Sequence, residues 1–234
     1  MNDSHALVVG ASSDIGRAVA AELAALGMSL TLWGRDAERL RATAAACAPR
    51  PCFVDTVDVT DTAGLERAAG DLAGRGPLSV VAYLAGVFDW APADRADPSA
   101  WERVFDVNLT AAAVLTRLTL PALIDAAPSC LLYIGSGAAH QAYPGNAAYV
   151  ASKHGLAGLA DAVFLDVRDR GVKVSLISPG LVAAGAGLAS PAGQDRPHEL
   201  LTPADVAAAV RFVVTFPARG CPTQIRLQPQ RNPG

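Results

Sequence analysis

Charge is scarce in this sequence. Charged residues make up 18% of its 234 positions, against roughly a quarter in ordinary soluble domains. The net charge is −3 and the pI is near 5.8, so no basic stripe is available to follow a nucleic-acid backbone or an anionic membrane. The four cysteines, Cys47, Cys52, Cys130 and Cys221, have neither C-x-x-C nor zinc-ligand spacing. They read as reduced thiols, with a Cys47–Cys52 disulfide as the alternative. His5, His154 and His198 also lack ligand spacing, so no metal is expected. No run of about 18 apolar residues offers a bilayer span. The start, Met1-Asn2-Asp3-Ser4-His5, lacks the basic and then apolar regions of a secretory signal, which points to a cytoplasmic address. Neither an internal repeat nor a linker divides the chain, so one domain over 1–234 is expected.

What is abundant is apolar side chain, at 51%. It falls in short runs over 6–9, 29–33, 52–54, 80–84, 130–135, 172–177 and 224–227. Between these runs lie helical patterns over 15–26, 36–46, 62–73, 100–126, 147–170 and 203–215. Strands alternating with helices must be joined by crossovers and so run parallel. The expected fold is α/β: a Rossmann-type, doubly wound, seven-stranded parallel sheet with helices on both faces. The segment 183–199 has glycines, prolines and little periodicity, and it follows the sixth strand. Ligands bind outside the carboxyl ends of such strands, so this loose segment is placed to act as a lid.

The first strand runs into Gly10-Ala11-Ser12-Ser13-Asp14-Ile15-Gly16 and then a helix. Glycines there permit a tight turn, and a helix N-terminus attracts a pyrophosphate. The second strand ends in Trp33-Gly34-Arg35, where a carboxylate would accept bonds from a ribose 2′-hydroxyl. A guanidinium suits a 2′-phosphate instead, which favours NADP(H) over NAD(H). The alternative is a solvated arginine at a helix start with Asp36 as N-cap. Asp58, in Val57-Asp58-Val59-Thr60-Asp61, is either an acceptor for an adenine amino group or a cap for the next helix.

Further along, Tyr149-Val150-Ala151-Ser152-Lys153 puts a phenol and an ammonium on one helix face. A nearby ammonium is expected to lower the phenol's pKa from about 10, which suits proton transfer to a substrate oxygen. Ser136 stands thirteen residues before Tyr149, at the end of an apolar run, and Ser178-Pro179-Gly180 follows. Singly, each has a plain structural reading: a turn cap, packing, or a solvated face.

Together these residues resemble the short-chain dehydrogenase/reductase family over essentially the whole chain. The resemblance is nearest to its NADP-dependent branch acting on 3-hydroxy acids and serine-like substrates, through Gly34-Arg35-Asp36-Ala37-Glu38-Arg39-Leu40 and the C-terminal Ile225-Arg226-Leu227-Gln228-Pro229-Gln230. It implies a catalytic set of Asn108, Ser136, Tyr149 and Lys153. Tyr149 would pass the proton, Ser136 hold the oxygen, Lys153 bind the ribose and Asn108 hold a relay water. It also implies cofactor contacts from Gly10, Ser12, Ser13, Ile15, Gly16, Arg35, Asp58, Val59, Ala85, Gly86, Pro179, Gly180 and Val182, with Asn108, Tyr149 and Lys153 again among them. Residues 1–95 would mainly bind cofactor, and 96–234 would carry catalysis and substrate. His140, Tyr143 and Trp90 are the substrate-side candidates, with Phe88 beside Trp90; packing or a plain loop histidine is the alternative. Partners would be a small carbonyl or alcohol substrate and further copies of the chain, as a homotetramer or homodimer. Dehydration, epimerisation and a non-catalytic NADP(H)-binding regulator are the rival functions.

The chain departs from the family pattern in four ways. Asp14 replaces a central glycine and is expected to face solvent or the helix N-terminus. Tyr83-Leu84-Ala85-Gly86 replaces Asn-Asn-Ala-Gly, Ala184 stands where a threonine is usual, and the lid is short.

Overall fold

The computed structural model describes residues 4–231; the first three residues of the stretch read for a leader lie outside it. Strands β1 (His5–Val9), β2 (Ser29–Gly34), β3 (Cys52–Thr56), β4 (Leu78–Tyr83), β5 (Ser129–Ile134), β6 (Val172–Pro179) and β7 (Gln224–Leu227) form one sheet. All pairings are parallel, in the order β3-β2-β1-β4-β5-β6-β7. The chain winds outward from β1 to β3, then returns to the other side of β1 to begin β4. Crossovers therefore diverge between β1 and β4, and a crevice opens at their carboxyl ends.

The central strands are predominantly apolar because both faces are covered. Ala6 and Val8 of β1 join Leu30 and Leu32 beneath helices α1 (Asp14–Ala25), α2 (Ala37–Ala46) and α9 (Pro203–Thr215). Leu7 and Val9 face the other way, with Tyr83, Leu131 and Tyr133. There they meet α3 (Thr62–Gly70), α5 (Ala111–Asp125) and α6 (Ala147–Val167). Each fully buried leucine contributes about 1.5–3 kcal/mol relative to exposure. Helix starts are set locally: Ser13 caps α1, Asp36 caps α2, Asp61 caps α3, and Thr202 with Asp205 forms a capping box on α9.

All seven expected strands and six expected long helices are present, with ends shifted by a few residues. Three details differ from expectation. The fifth helical segment starts at Pro98 as α4 (Pro98–Phe105), passes through a π turn over Asp106–Thr110 and continues as α5. This 28-residue Pro98–Asp125 helix is long and apolar enough to cross a membrane, contrary to the reading that no such run exists. Its Ala111, Ala112, Leu115 and Leu123 are packed into the sheet core, which marks it as a core helix. The lid is ordered rather than loose: α7 (Ala186–Ala189) and α8 (Pro191–Asp195) fill it, and Val182 bridges to Leu201. Ser190 caps α8, supplying a local helix signal that the glycines and prolines mask.

All four cysteines are free. At the amino end of the sheet, fully buried His5 bonds Ser29 and Thr31, each at 2.8 Å. Arg75 joins Thr31 at 3.2 Å and Asp55 at 2.5 and 3.1 Å. Burial first, and then Arg75, push His5 down to about 4, so it is neutral at neutral pH.

Candidate active site

A cleft of about 460 Å³ opens at the carboxyl ends of β1, β2 and β4. Gly10, Ser12, Ser13, Arg35, Asp58, Val59, Ala85 and Gly86 all line it, as expected for a cofactor site. The glycines are there for clearance. Gly10 has φ +88°, and a β-carbon on it would lie 2.9 Å from the Ala85 nitrogen. On Gly16 a β-carbon would meet the Gly10 carbonyl oxygen at 2.2 Å, so the α1 backbone rests directly on the turn. Gly16 and Ile15 brace the turn from behind, and neither lines the cleft. Val182 is buried in the core, so only its backbone is available to a ligand. Pro179 and Gly180, at the end of β6, also lie outside the cleft lining.

At the Arg35 end of the cleft stands a residue the sequence reading passed over. Arg39 lines the same cleft and pairs with Asp14 at 3.3 Å. Asp14 thus faces neither the helix amides nor open water alone; it meets a guanidinium from α2. The available signal was the i,i+4 spacing of Arg35 and Arg39. Asp58 accepts from the Thr60 amide at 3.0 Å and its hydroxyl at 2.8 Å. Those bonds, ahead of the pull of Arg35 and Arg103, hold its carboxyl below the ordinary range. It stays a ready acceptor at the cleft wall.

The residues expected to transfer a proton lie beside this cleft. Ser136 follows β5 and lies beside the Tyr149 phenol, whose ionised form it favours; Tyr149 itself projects from α6. One turn on, Lys153 is buried; its Nζ donates to the Ile134 carbonyl at 3.0 Å and lies 5.7 Å from the Tyr149 ring centre. A β-carbon on Gly86 would come within 3.7 Å of that Nζ, so the loop after β4 runs directly past it. The expected depression of the phenol by lysine is not what this geometry produces. Burial is the strongest influence on Tyr149 and pushes its pKa up, with Ser136 opposing it. Burial instead brings Lys153 down to about 8. Burial disfavours the ammonium itself, which is anchored on the Ile134 backbone carbonyl rather than on the phenol.

Asn108 has a bracing role that the sequence reading did not include. The π turn points it inward, where it is fully buried. Its Nδ2 donates to the Val87 carbonyl at 3.0 Å and Ser152 Oγ at 3.1 Å, while its Oδ1 accepts from the Val87 amide at 2.8 Å. Both amide hydrogens are engaged by protein, while Oδ1 keeps a second lone pair. Asn108 ties the loop after β4 to α6. Ser152, which also donates to the Tyr149 carbonyl at 2.8 Å, is the partner that the sequence reading missed; nothing local distinguishes it from any helix-face serine.

The substrate-side candidates fall into separate contacts. Phe88 stands edge-on to Tyr149 with ring centres 4.9 Å apart, and Trp90 lies 5.9 Å beyond Phe88. The Tyr143 hydroxyl accepts from Gln141 at 2.5 Å and sits over Gly137. His140 bonds Ser178 at 3.0 Å, and burial, with Arg226 and His154, holds its pKa below the ordinary value. No metal-binding group of three occurs among the described residues.

The "short chain dehydrogenase" family model matches residues 4–195. The chain belongs to this family of oxidoreductases. A sulfoacetaldehyde reductase of Chromohalobacter salexigens is 31% identical over 96% of this chain and 93% of its own length. A metagenomic short-chain oxidoreductase solved with NADP superposes with a TM-score of 0.85, at 30% identity and 99% coverage of each chain. A closed serine dehydrogenase complexed with NADP+ gives a TM-score of 0.86 at 26% identity, covering 95% of this chain and 94% of that one. The likeness to the serine-dehydrogenase branch thus extends to structure.

Proposed function

We propose that this protein is an NADP(H)-dependent oxidoreductase interconverting a ketone or aldehyde and its alcohol, with Tyr149 as general acid and base. The observation that carries the reading is buried Lys153 with its Nζ 5.7 Å from the Tyr149 ring centre, Ser136 beside the phenol, at the edge of a cleft whose far end holds Arg35 and Arg39. The residues present fit the cofactor. Close backbone packing at Gly10 and Gly16 brings the α1 N-terminus onto the cleft, where it suits phosphates, and two guanidiniums are placed to meet a 2′-phosphate. When bound, the nicotinamide gives hydride to the carbonyl carbon or takes it from the alcohol carbon.

The chain's own groups manage the oxygen. Ser136 Oγ holds it, and the Tyr149 O–H gives it the proton that completes the alcohol; oxidation returns that proton to the phenol. A phenol raised by burial is fully protonated at neutral pH, as reduction requires. Lys153, kept at the Gly86 edge by Ile134, is placed to donate to ribose hydroxyls. In the same reading the chain is a homotetramer or homodimer, joined by the outward faces of α5 and α6, where Leu165 is left exposed.

The test is NADPH consumption, followed by its absorbance, across a panel of aldehydes and ketones. Turnover with stoichiometric alcohol is expected. Water loss or inversion without NADPH oxidation would move the assignment to a dehydratase or epimerase. Tight NADPH binding with no chemistry would make the chain a regulator. A 24 kDa particle in light scattering would overturn the oligomer.

A further inference from the structure

Among the described residues, seven large apolar side chains remain notably exposed; of these Phe88 packs on the Tyr149 ring, Trp90 on Phe88, and Tyr143 lies near enough to Tyr149 to influence its phenol. Trp90 is 67% exposed, Phe88 43% and Tyr143 41%. Leaving an indole mostly in water forgoes the burial that large aromatic rings ordinarily supply, and such clustering marks a recognition surface.

The cluster is held in shape. Val87 is clamped at both its amide and its carbonyl by Asn108. Three residues on, the Trp90 indole covers Gly145, leaving 2.9 Å where a β-carbon would sit, and the Ala91 amide bonds the Gly145 carbonyl at 2.9 Å. Gly145 has φ +71°, so glycine permits both the turn and the ring above it. Phe88 and Trp90 thus form a fixed wall at one side of the phenol, and a fixed wall binds without an ordering cost.

Most charge around this mouth is engaged or buried, with Arg226 the cation nearest His140. Asp89 stands between Phe88 and Trp90 in the chain. Arg95 is mostly in water beside Asp94 at 3.6 Å. His140 is held neutral and engaged by Ser178. Lys153 is buried on the Ile134 carbonyl. Arg226 is the cation felt by His140, on the strand adjoining Ser178.

We propose that the site takes a neutral carbonyl compound bearing an aromatic or similarly broad apolar group beside the C=O, packed on Phe88 and Trp90. This rests on the carbonyl-reductase reading and specifies its substrate class. The named substrates of the sulfoacetaldehyde reductase and the serine dehydrogenase carry charge; the substrate of this chain would not.

The experiment compares kcat/KM for benzaldehyde, propanal and succinic semialdehyde with NADPH, in wild type, Phe88→Ala and Trp90→Ala. Calorimetry of benzyl alcohol on the NADP+ complex reads the same wall without turnover. Benzaldehyde is expected to exceed propanal by at least about tenfold, with succinic semialdehyde poorest. Each alanine variant is expected to lose most of that advantage and most of the benzyl alcohol heat. A preference for succinic semialdehyde, which would point to Arg226, overturns the proposal. So does an aromatic advantage unchanged in both variants, or a Trp90→Ala protein that loses its oligomeric state while keeping its selectivity. Benzyl alcohol binding that depends on Trp90, in a protein that reduces none of the three, would sustain the wall and refute the reductase reading instead.

Discussion

Asp14 and Arg39 meet at 3.3 Å across the mouth of the cofactor cleft, each about half exposed. A carboxylate in a phosphate-binding turn would oppose the ligand, and here a guanidinium from the next helix offsets it. An exposed pair of this kind contributes at most about 1 kcal/mol to stability. Asp14→Asn is therefore expected to change NADPH affinity by less than about threefold. Arg35→Ala should weaken NADPH by about 1.5–3 kcal/mol, as for a lost charged hydrogen bond, and spare NADH. Arg39→Ala should act in the same direction and less strongly. Titrations with both cofactors check this, and equal losses for NADH and NADPH would remove the phosphate-reading role.

Tyr149→Phe keeps the ring against Phe88 and removes the proton donor. Turnover is expected to fall at least about 100-fold, since general acid catalysis contributes that much. NADPH affinity and thermal stability should hold, because Lys153 is anchored through Ile134 and not through the phenol. Unchanged turnover on any accepted substrate would refute the mechanism.

The pH dependence of cofactor binding should report Lys153. Its pKa lies near 8 in the free protein, against 10.5 ordinarily. Below that value the group is an ammonium able to donate to ribose; above it, one donor and the charge are gone. NADPH dissociation constants are thus expected to rise as pH passes through about 8, and to lose this dependence in Lys153→Met. A profile flat to pH 10 in the wild type would show that the charge on Lys153 is not used.

Asn108→Ala leaves the Val87 amide and carbonyl and the Ser152 hydroxyl without their partner. The expected cost is about 1–3 kcal/mol for buried polar groups left unpaired, measured by urea unfolding. Hydrogen exchange over residues 87–97 should quicken at the same time. Destabilisation without that local change would place the role of Asn108 elsewhere.

His5 should make the protein acid-sensitive. Its folded pKa, near 4, is below the ordinary 6.5, so between these values the unfolded chain binds a proton that the folded one refuses. Stability is then complete above about pH 6.5 and falls as pH drops toward 4. Across that window the loss is on the order of 3 kcal/mol, at about 1.4 kcal/mol for each pH unit. Unfolding in urea at stepped pH checks the slope, which His5→Gln should flatten.

The β1 turn, the Tyr149–Lys153 pair and the seven strands were legible because each is written locally. Strands buried on both faces are continuous apolar runs, caps are single residues before helices, and an i,i+4 pair shares a face by helical geometry alone. Arg39 was legible only as a second arginine one turn after Arg35. Nothing in 14 or 39 by itself says that the two meet, since 25 residues separate them. The lid helices were hidden by glycine and proline, which mask short helices whose start depends on one Ser190 cap.

By itself, the sequence determined the winding of the sheet, the close backbone approach at Gly10 and Gly16, and the placing of a phenol and an ammonium on one helix face. These depend on periodicity, on the absence of a side chain, and on fixed chemistry at fixed spacing. Only the tertiary structure decided that Asn108 spends its amide on Val87 and Ser152 across 21 and 44 residues. It also decided that burial, rather than the neighbouring ammonium, governs Tyr149. Spacing places a charge near a phenol; how strongly that charge acts depends on how much water the fold leaves around both.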